Sequence, residues 1–256
     1  MSDNFGNFVW YDVMTTDCDA AEAFYRAVIG WEIRDSGMAD RSYRILSAGA
    51  LMVGGLMPIP EHARAAGVRP AWMGYIAVDD VDAYAGRVAD TGGSVHRPPE
   101  DIPGVGRFAV VADPHGAGFI LFRGIGEQAP QRDAAAPGHI GWHELHAGNR
   151  ERAFTFYARL FGWKTVDRLD MGPMGIYQTF GTGGAHFGGM MTKTPQTPVP
   201  FWLFYFNVAA IDAAAARVAA AGGKVVNGPH MVPTGQWIVQ GVDPQGAMFA
   251  LLAPKR

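Results

Sequence analysis

The chain repeats itself, and that repeat limits its architecture more than any other feature. Ala23-Phe24-Tyr25 through Ile29-Gly30-Trp31 recurs as Thr155-Phe156-Tyr157 through Phe161-Gly162-Trp163. Gly54-Gly55-Leu56-Met57 returns as Gly188-Gly189-Met190-Met191, and Arg87-Val88-Ala89 with Gly92-Gly93 as Arg217-Val218-Ala219 with Gly222-Gly223. Asp113-Pro114-His115-Gly116 returns as Asp243-Pro244-Gln245-Gly246. The order is preserved and the offset stays between 130 and 134, so the chain is an internal duplication. Gly, Pro, Gln and a short Ala run mark a linker at 124–137, which predicts domains at 1–123 and 138–256. Pro58–Pro70 and Lys193–Pro200 read as smaller breaks inside each half.

Each half reads as strand, helix and three strands, taken twice. Phe8–Met14 is apolar and β-prone, and Asp17 is placed to cap a helix carrying the stripe Ala20, Ala23, Phe24, Ala27, Val28, which Gly30 stops. Strands follow near Trp31–Asp35, Tyr43–Ser47 and Ala50–Met57. A second unit starts at Met73–Val78, continues through a helix at Val81–Thr91 capped by Asp80, and ends with strands near Ser94–Arg97, Phe108–Ala112 and Phe119–Phe122. The second half repeats the plan, with Asn149 as cap and Gly162 as stop. A βαβββ unit has a sheet that one helix covers on a single face. Two such units paired edge to edge give an α+β fold with outer helices and a concave sheet surface for a ligand.

Composition narrows the partners. With 48% hydrophobic and 18% charged residues the chain is an ordinary globular one. A net charge of -3 without a Lys/Arg cluster argues against nucleic acid and anionic membrane as partners. The single cysteine, Cys18, allows no internal disulfide. The first ten residues lack the basic and apolar regions of a signal peptide, and no apolar run reaches membrane-spanning length, so the expected compartment is the cytoplasm.

Phe24-Tyr25-x4-Gly30-Trp31 and Phe156-Tyr157-x4-Gly162-Trp163, with the turns Asp113-Pro114-x-Gly116 and Asp243-Pro244-x-Gly246, resemble the signatures of the glyoxalase/bleomycin-resistance/dioxygenase (vicinal oxygen chelate) superfamily. The resemblance runs from about Phe8 to Leu252. It implies two tandem glyoxalase-like domains, each of two βαβββ units forming a curved mixed sheet. It also implies a choice among metal-dependent isomerisation, epoxide opening, ring cleavage by dioxygen, and drug sequestration, which fold alone does not decide.

Members that use a metal hold a divalent cation (Zn, Ni, Mn or Fe) with His, Gln or Glu from the first and last strand of each unit. Carried over without gaps, those positions are Trp10 and Trp142 on the first strands, Ile120 and Ala250 on the last, Met73 and Leu203 on the fifth, and the glycine pairs on the fourth. None suits such a cation. The expectation is a ligand-binding surface of Trp10, Trp142, His186, Met73, Leu203, Ile120 and Ala250, with no metal cofactor, for a flat or apolar organic molecule.

Polar groups remain nearby. Strand alternation puts Trp10, Asp12 and Met14 on one face, and likewise Trp142, Glu144 and His146. A carboxyl desolvated by aromatic walls can serve as acid or base near neutral pH. Glu144 is therefore the first candidate catalytic residue, with His146 assisting, Trp142 stacking on the ligand, and Asp12 as the first-half counterpart. Structural roles are the competing reading for Asp12 and Glu144: pairing with an Arg, or accepting backbone hydrogen bonds at the rim. His186 is added on the fourth strand, and Glu144, His146 and His186 define the alternative, a displaced metal site in a lyase or dioxygenase. The non-catalytic alternative is a sequestering protein. His62, His96, His115, His139 and His230 are expected in solvated loops or strand ends. Cys18 is placed where a helix N-terminus stabilises a thiolate. The chain is expected as monomer or homodimer.

Overall fold

The computed structural model describes residues 4–38, 42–126, 134–183 and 185–256. Of the expected linker, 127–133 lie outside these residues. The first half contains β1 (Phe8–Thr15), α1 (Cys18–Ile29), β2 (Glu32–Asp35), β3 (Arg44–Ala48), β4 (Leu51–Pro58), α2 (Glu61–Ala65), β5 (Ala71–Ala77), α3 (Val81–Asp90), β6 (Ser94–Ile102), β7 (Gly106–Ala112) and β8 (Gly118–Gly124). The second contains β9 (Ile140–Ala147), α4 (Arg150–Phe161), β10 (Lys164–Asp170), β11 (Ile176–Thr182), β12 (Ala185–Thr192), β13 (Phe201–Asn207), α5 (Ile211–Ala220), β14 (Lys224–Met231), β15 (Trp237–Val242) and β16 (Met248–Ala253). The strands form two eight-stranded mixed sheets of matching order, β2-β3-β4-β1-β5-β8-β7-β6 and β10-β11-β12-β9-β13-β16-β15-β14. This is the duplicated α+β, βαβββ plan that the sequence predicts.

The helix ends follow local chemistry. Asp17, Asp80 and Asn149 each accept an amide of the first turn, from Ala20, Ala83 and Arg152. Gly30 and Gly162 close α1 and α4 in the left-handed region, at φ 89° and 72°. Two features depart from expectation. The Pro58–Pro70 break holds the five-residue helix α2, which buries no residue and so leaves no apolar stripe in the sequence. Strand β6 runs past Arg97 to Ile102, because register shifts before Arg97 and between Arg97 and Glu100 absorb Pro98-Pro99 at the edge of the sheet.

By contact, the chain divides into two compact units, and each draws on both halves of the sequence. One comprises Met1–Val9, Met73–Gln131 and His143–Trp202; the other comprises Trp10–Trp72, Arg132–Trp142 and Leu203–Arg256. In the latter, the buried hydroxyl of Tyr25 donates to Asp243 Oδ2 at 3.0 Å and accepts from Trp72 Nε1 at 2.8 Å. Trp31 Nε1 donates to the Gly138 carbonyl at 2.7 Å, and Arg217 reaches the Val28 carbonyl at the end of α1 with Nε at 3.1 Å and Nη2 at 2.8 Å. The Phe249 ring packs edge-on against Phe24 and Tyr25. The helix signature of one half thus meets the Asp-Pro turn of the other.

The first unit has the same design with a looser joint. Trp202 Nε1 donates to the Tyr157 hydroxyl at 3.1 Å, and Trp163 Nε1 donates to the Gly6 carbonyl at 2.7 Å. Tyr157 stands in the field of Asp113, yet Asp113 Oδ2 completes no hydrogen bond of proper geometry. Phe119 packs against Phe156, Tyr157 and Phe161.

Candidate functional site

Chemistry concentrates on β1 and β9, each beside a glycine of the strand paired with it in parallel. On β1, Asp12 lies opposite Gly55 of β4. Trp10 Nε1 donates to Asp12 Oδ1 at 2.9 Å and to the Tyr43 oxygen at 2.8 Å, while the Tyr43 hydroxyl donates to the same Oδ1 at 2.7 Å. Asp12 is buried and Trp10 and Tyr43 are half-buried. Burial, with Asp12 beside it, pushes the Tyr43 phenol far above its ordinary pKa, so it remains a proton donor. Gly55 makes room for this cluster: a Cβ there would overlap the Tyr43 hydroxyl and stand 2.6 Å from Asp12 Oδ1.

The β9 arrangement is equivalent. Glu144 lies opposite Gly189 of β12. The Tyr177 hydroxyl donates to Glu144 Oε2 at 3.0 Å, and a Cβ at Gly189 would overlap the Tyr177 ring. Where β1 has Met14, β9 has His146. Its Nε2 lies 2.8 Å from Glu144 Oε1, an approach outside hydrogen-bond geometry. The imidazole stacks on Phe201, with centroids 4.7 Å apart and planes 2° from parallel. Glu144, His146 and Tyr177 can together hold, accept or release a proton.

Tyr43 and Tyr177 were not singled out from the sequence, although a signal exists. Each stands twelve residues before the glycine that accommodates it, Gly55 or Gly189, so the pair shares the glycines' own offset. The other candidates disperse. His186 is exposed at the start of β12, opposite Gly181 of β11, and is not brought to Glu144 and His146. Ile120 is buried and pairs with Tyr75; Leu203 and Ala250 are fully buried; Met73 is half-buried against Gly118. His139 is buried, against the expectation of a solvated loop. Burial raises the Cys18 thiol, outweighing the expected stabilisation of a thiolate.

The positions that the resemblance implies as metal ligands carry side chains of the wrong chemistry for a divalent ion. Two are indoles, whose N–H only donates, and the rest are hydrocarbon, thioether or glycine. Among the described residues, no group of three or more His, Cys, Asp or Glu side chains is placed to hold a metal ion.

The model of the Glyoxalase/Bleomycin resistance protein/Dioxygenase superfamily matches residues 7–121 and again 138–251. The chain belongs to this superfamily. Its relatives include CFP32 of Mycobacterium tuberculosis, named as a candidate glyoxylase, 36% identical over 96% of this chain and 94% of its own. The anthracycline biosynthesis protein DauV of Streptomyces sp. is 31% identical over 95% of this chain and 91% of its own. Among solved structures, the Mn(II)-bound glyoxalase from Novosphingobium aromaticivorans superposes with a TM-score of 0.65 at 22% identity, over 96% of this chain and 81% of that one. The 2,2',3-trihydroxybiphenyl 1,2-dioxygenase of Sphingomonas wittichii gives 0.66 at 14% identity, over 96% and 89%. These structural likenesses show the superfamily fold. Among the described residues, no helix is long and apolar enough to cross a membrane.

The glycine seats make a direct prediction. Gly55→Ala should displace Tyr43 from Asp12 at a cost of about 1–3 kcal/mol, because the added methyl overlaps the Tyr43 phenol and crowds the buried Asp12 carboxylate. The check is urea unfolding together with Trp fluorescence, which should change as Trp10 loses its phenol partner.

Proposed function

We propose that the chain binds a small organic molecule with a flat apolar or aromatic body, and that Glu144, assisted by His146 and Tyr177, moves a proton on it without a bound metal. One observation carries this reading. The superfamily's ligand positions hold indole and hydrocarbon, while two residues along β9 a carboxylate, an imidazole and a phenol converge. The relatives named for anthracycline biosynthesis support a planar aromatic body.

In this reading Tyr177 holds Glu144 by one oxygen so that the other faces His146. Glu144 takes a proton from one atom of the ligand and returns it at another, as an isomerisation requires, with the His146 imidazole beside it. Phe201 holds the imidazole plane by stacking.

The test uses 1,2-dihydroxyanthraquinone as a flat probe, followed by quenching of Trp fluorescence. Glu144→Gln should keep probe affinity within about threefold while abolishing any product seen by mass spectrometry, because binding rests on the rings and proton transfer on the carboxylate. Stoichiometric Zn, Ni, Mn or Fe in protein purified without chelators, lost on Glu144→Ala, would overturn the metal-free reading. Binding with no product from any bound compound would leave a sequestering protein.

A further inference from the structure

Strand β2 lies at the edge of its sheet, and a cavity of about 460 Å³ opens where it meets β3 and β4. That volume falls within the range of small-molecule sites. Its walls carry both signs of charge. Glu32 and Arg34 stand two residues apart on one face of β2, which puts their Cα atoms roughly 6.5 Å from each other. Among the described residues neither side chain has an ion-pair or hydrogen-bond partner, and the two do not pair with each other. Arg26 also lines the cavity, but its guanidinium is already held by Glu22 at 2.9 Å and by the Ile33 carbonyl. In the sheet register Glu32 lies opposite Ser47, whose hydroxyl is likewise uncommitted, and Ser47 lies opposite the exposed Met52.

Opposite charges left unpaired side by side discriminate among ligands by sign. A simple anion drawn to Arg34 meets Glu32, and a simple cation drawn to Glu32 meets Arg34 and Arg26. A molecule that carries both charges satisfies both groups at once, with a carboxylate on the guanidinium fork and an ammonium on the carboxylate. Ser47 adds a hydroxyl that can donate or accept, and Met52 adds an adaptable apolar surface.

We propose that this cavity binds a small zwitterion, an α-amino acid with an aromatic side chain: its carboxylate on Arg34, its ammonium on Glu32 and its ring against Met52. The site takes no residue from β9, so it goes beyond the proton-transfer reading of Glu144 and does not rest on it.

The experiment compares L-phenylalanine with 3-phenylpropionate, which lacks the ammonium, and with 2-phenylethylammonium, which lacks the carboxylate. Binding to the full chain is followed by ligand-observed NMR titration at low salt. L-phenylalanine should bind about fivefold tighter than either, the scale set by partly exposed ion pairs. Arg34→Gln should weaken L-phenylalanine about fivefold without weakening 2-phenylethylammonium. Glu32→Gln should bring L-phenylalanine and 3-phenylpropionate within about twofold of each other. Both side chains are exposed, so both variants should fold, which circular dichroism checks. Glu144→Gln should leave all three titrations unchanged. Equal binding of the three probes, no binding of L-phenylalanine at millimolar concentration, or a preference that survives either substitution on β2 overturns the inference. So does a preference lost in Glu144→Gln, which would assign these probes to the β9 site instead.

Discussion

Replacing Asp243 by Ala is expected to lower the stability of the protein by about 3–4 kcal/mol, measured by urea unfolding at neutral pH. Three donors converge on this one carboxylate. Its Oδ1 accepts the amides of Gln245 at 3.0 Å and Ala247 at 2.8 Å, and its Oδ2 accepts the Tyr25 hydroxyl at 3.0 Å. Alanine would strand all three, and each buried unpaired donor costs roughly 1–3 kcal/mol before relaxation. Burial raises the carboxyl above the usual range, with the amides and Tyr25 pulling it back, so part of the gain is offset at neutral pH. Asp243→Asn keeps an acceptor for the amides without the buried charge and should recover about half of the loss.

The matching change Asp113→Ala should cost less, because Asp113 Oδ2 completes no bond to Tyr157. Equal losses at the two positions would show that the turn alone, and not the tyrosine joint, carries the energy. A double-mutant cycle of Tyr25→Phe with Asp243→Ala should give a coupling of about 1 kcal/mol or more.

The second large effect is one of acidity. His143 is buried on β9 between stacked Phe8, 4.4 Å away, and the edge of Phe187, and its Nδ1 donates to the Phe187 carbonyl at 2.6 Å. Burial pushes its pKa down to about 4, and the bond to Phe187 only partly opposes this. With the folded value depressed, the unfolded chain takes up the proton first as pH falls. The stability from a neutral His143 is present above about pH 6.5 and drains away towards pH 4. The span of about 2.5 pH units corresponds to about 3 kcal/mol.

Asp113 and Asp243 act in the opposite sense, since their folded values are raised and the folded chain binds their protons first. The measurement is therefore the difference between wild type and His143→Phe across pH 4–7. The variant should lack the extra acid slope, and parallel curves would refute the assignment.

The helices and most strand positions were legible because their signals are local. A cap at Asp17 or Asn149, a stop at Gly30 or Gly162 and an alternating strand are each written within a few residues, and the duplication states them twice. Short α2 escaped because it buries nothing, and the continuation of β6 because Pro98-Pro99 looks like an end unless a bulge absorbs it. Asp12 and Glu144 were found by alternation, while Tyr43 and Tyr177 were missed because each reaches its carboxylate across sheet pairings 31 and 33 residues away. Most distant of all is Tyr25 on Asp243, a bond spanning 218 residues that leaves no local trace. The motif resemblance located both ends of it without showing that they touch.

That bond also bears on the history of the gene. Once the first repeat had entrusted Tyr25 and Trp31 to acceptors at Asp243 and Gly138, neither copy was any longer spare. A descendant that lost one repeat would have to borrow those acceptors from a sister molecule. With both repeats on one chain, β1 and β9 need not be identical, and they differ at Met14 and His146.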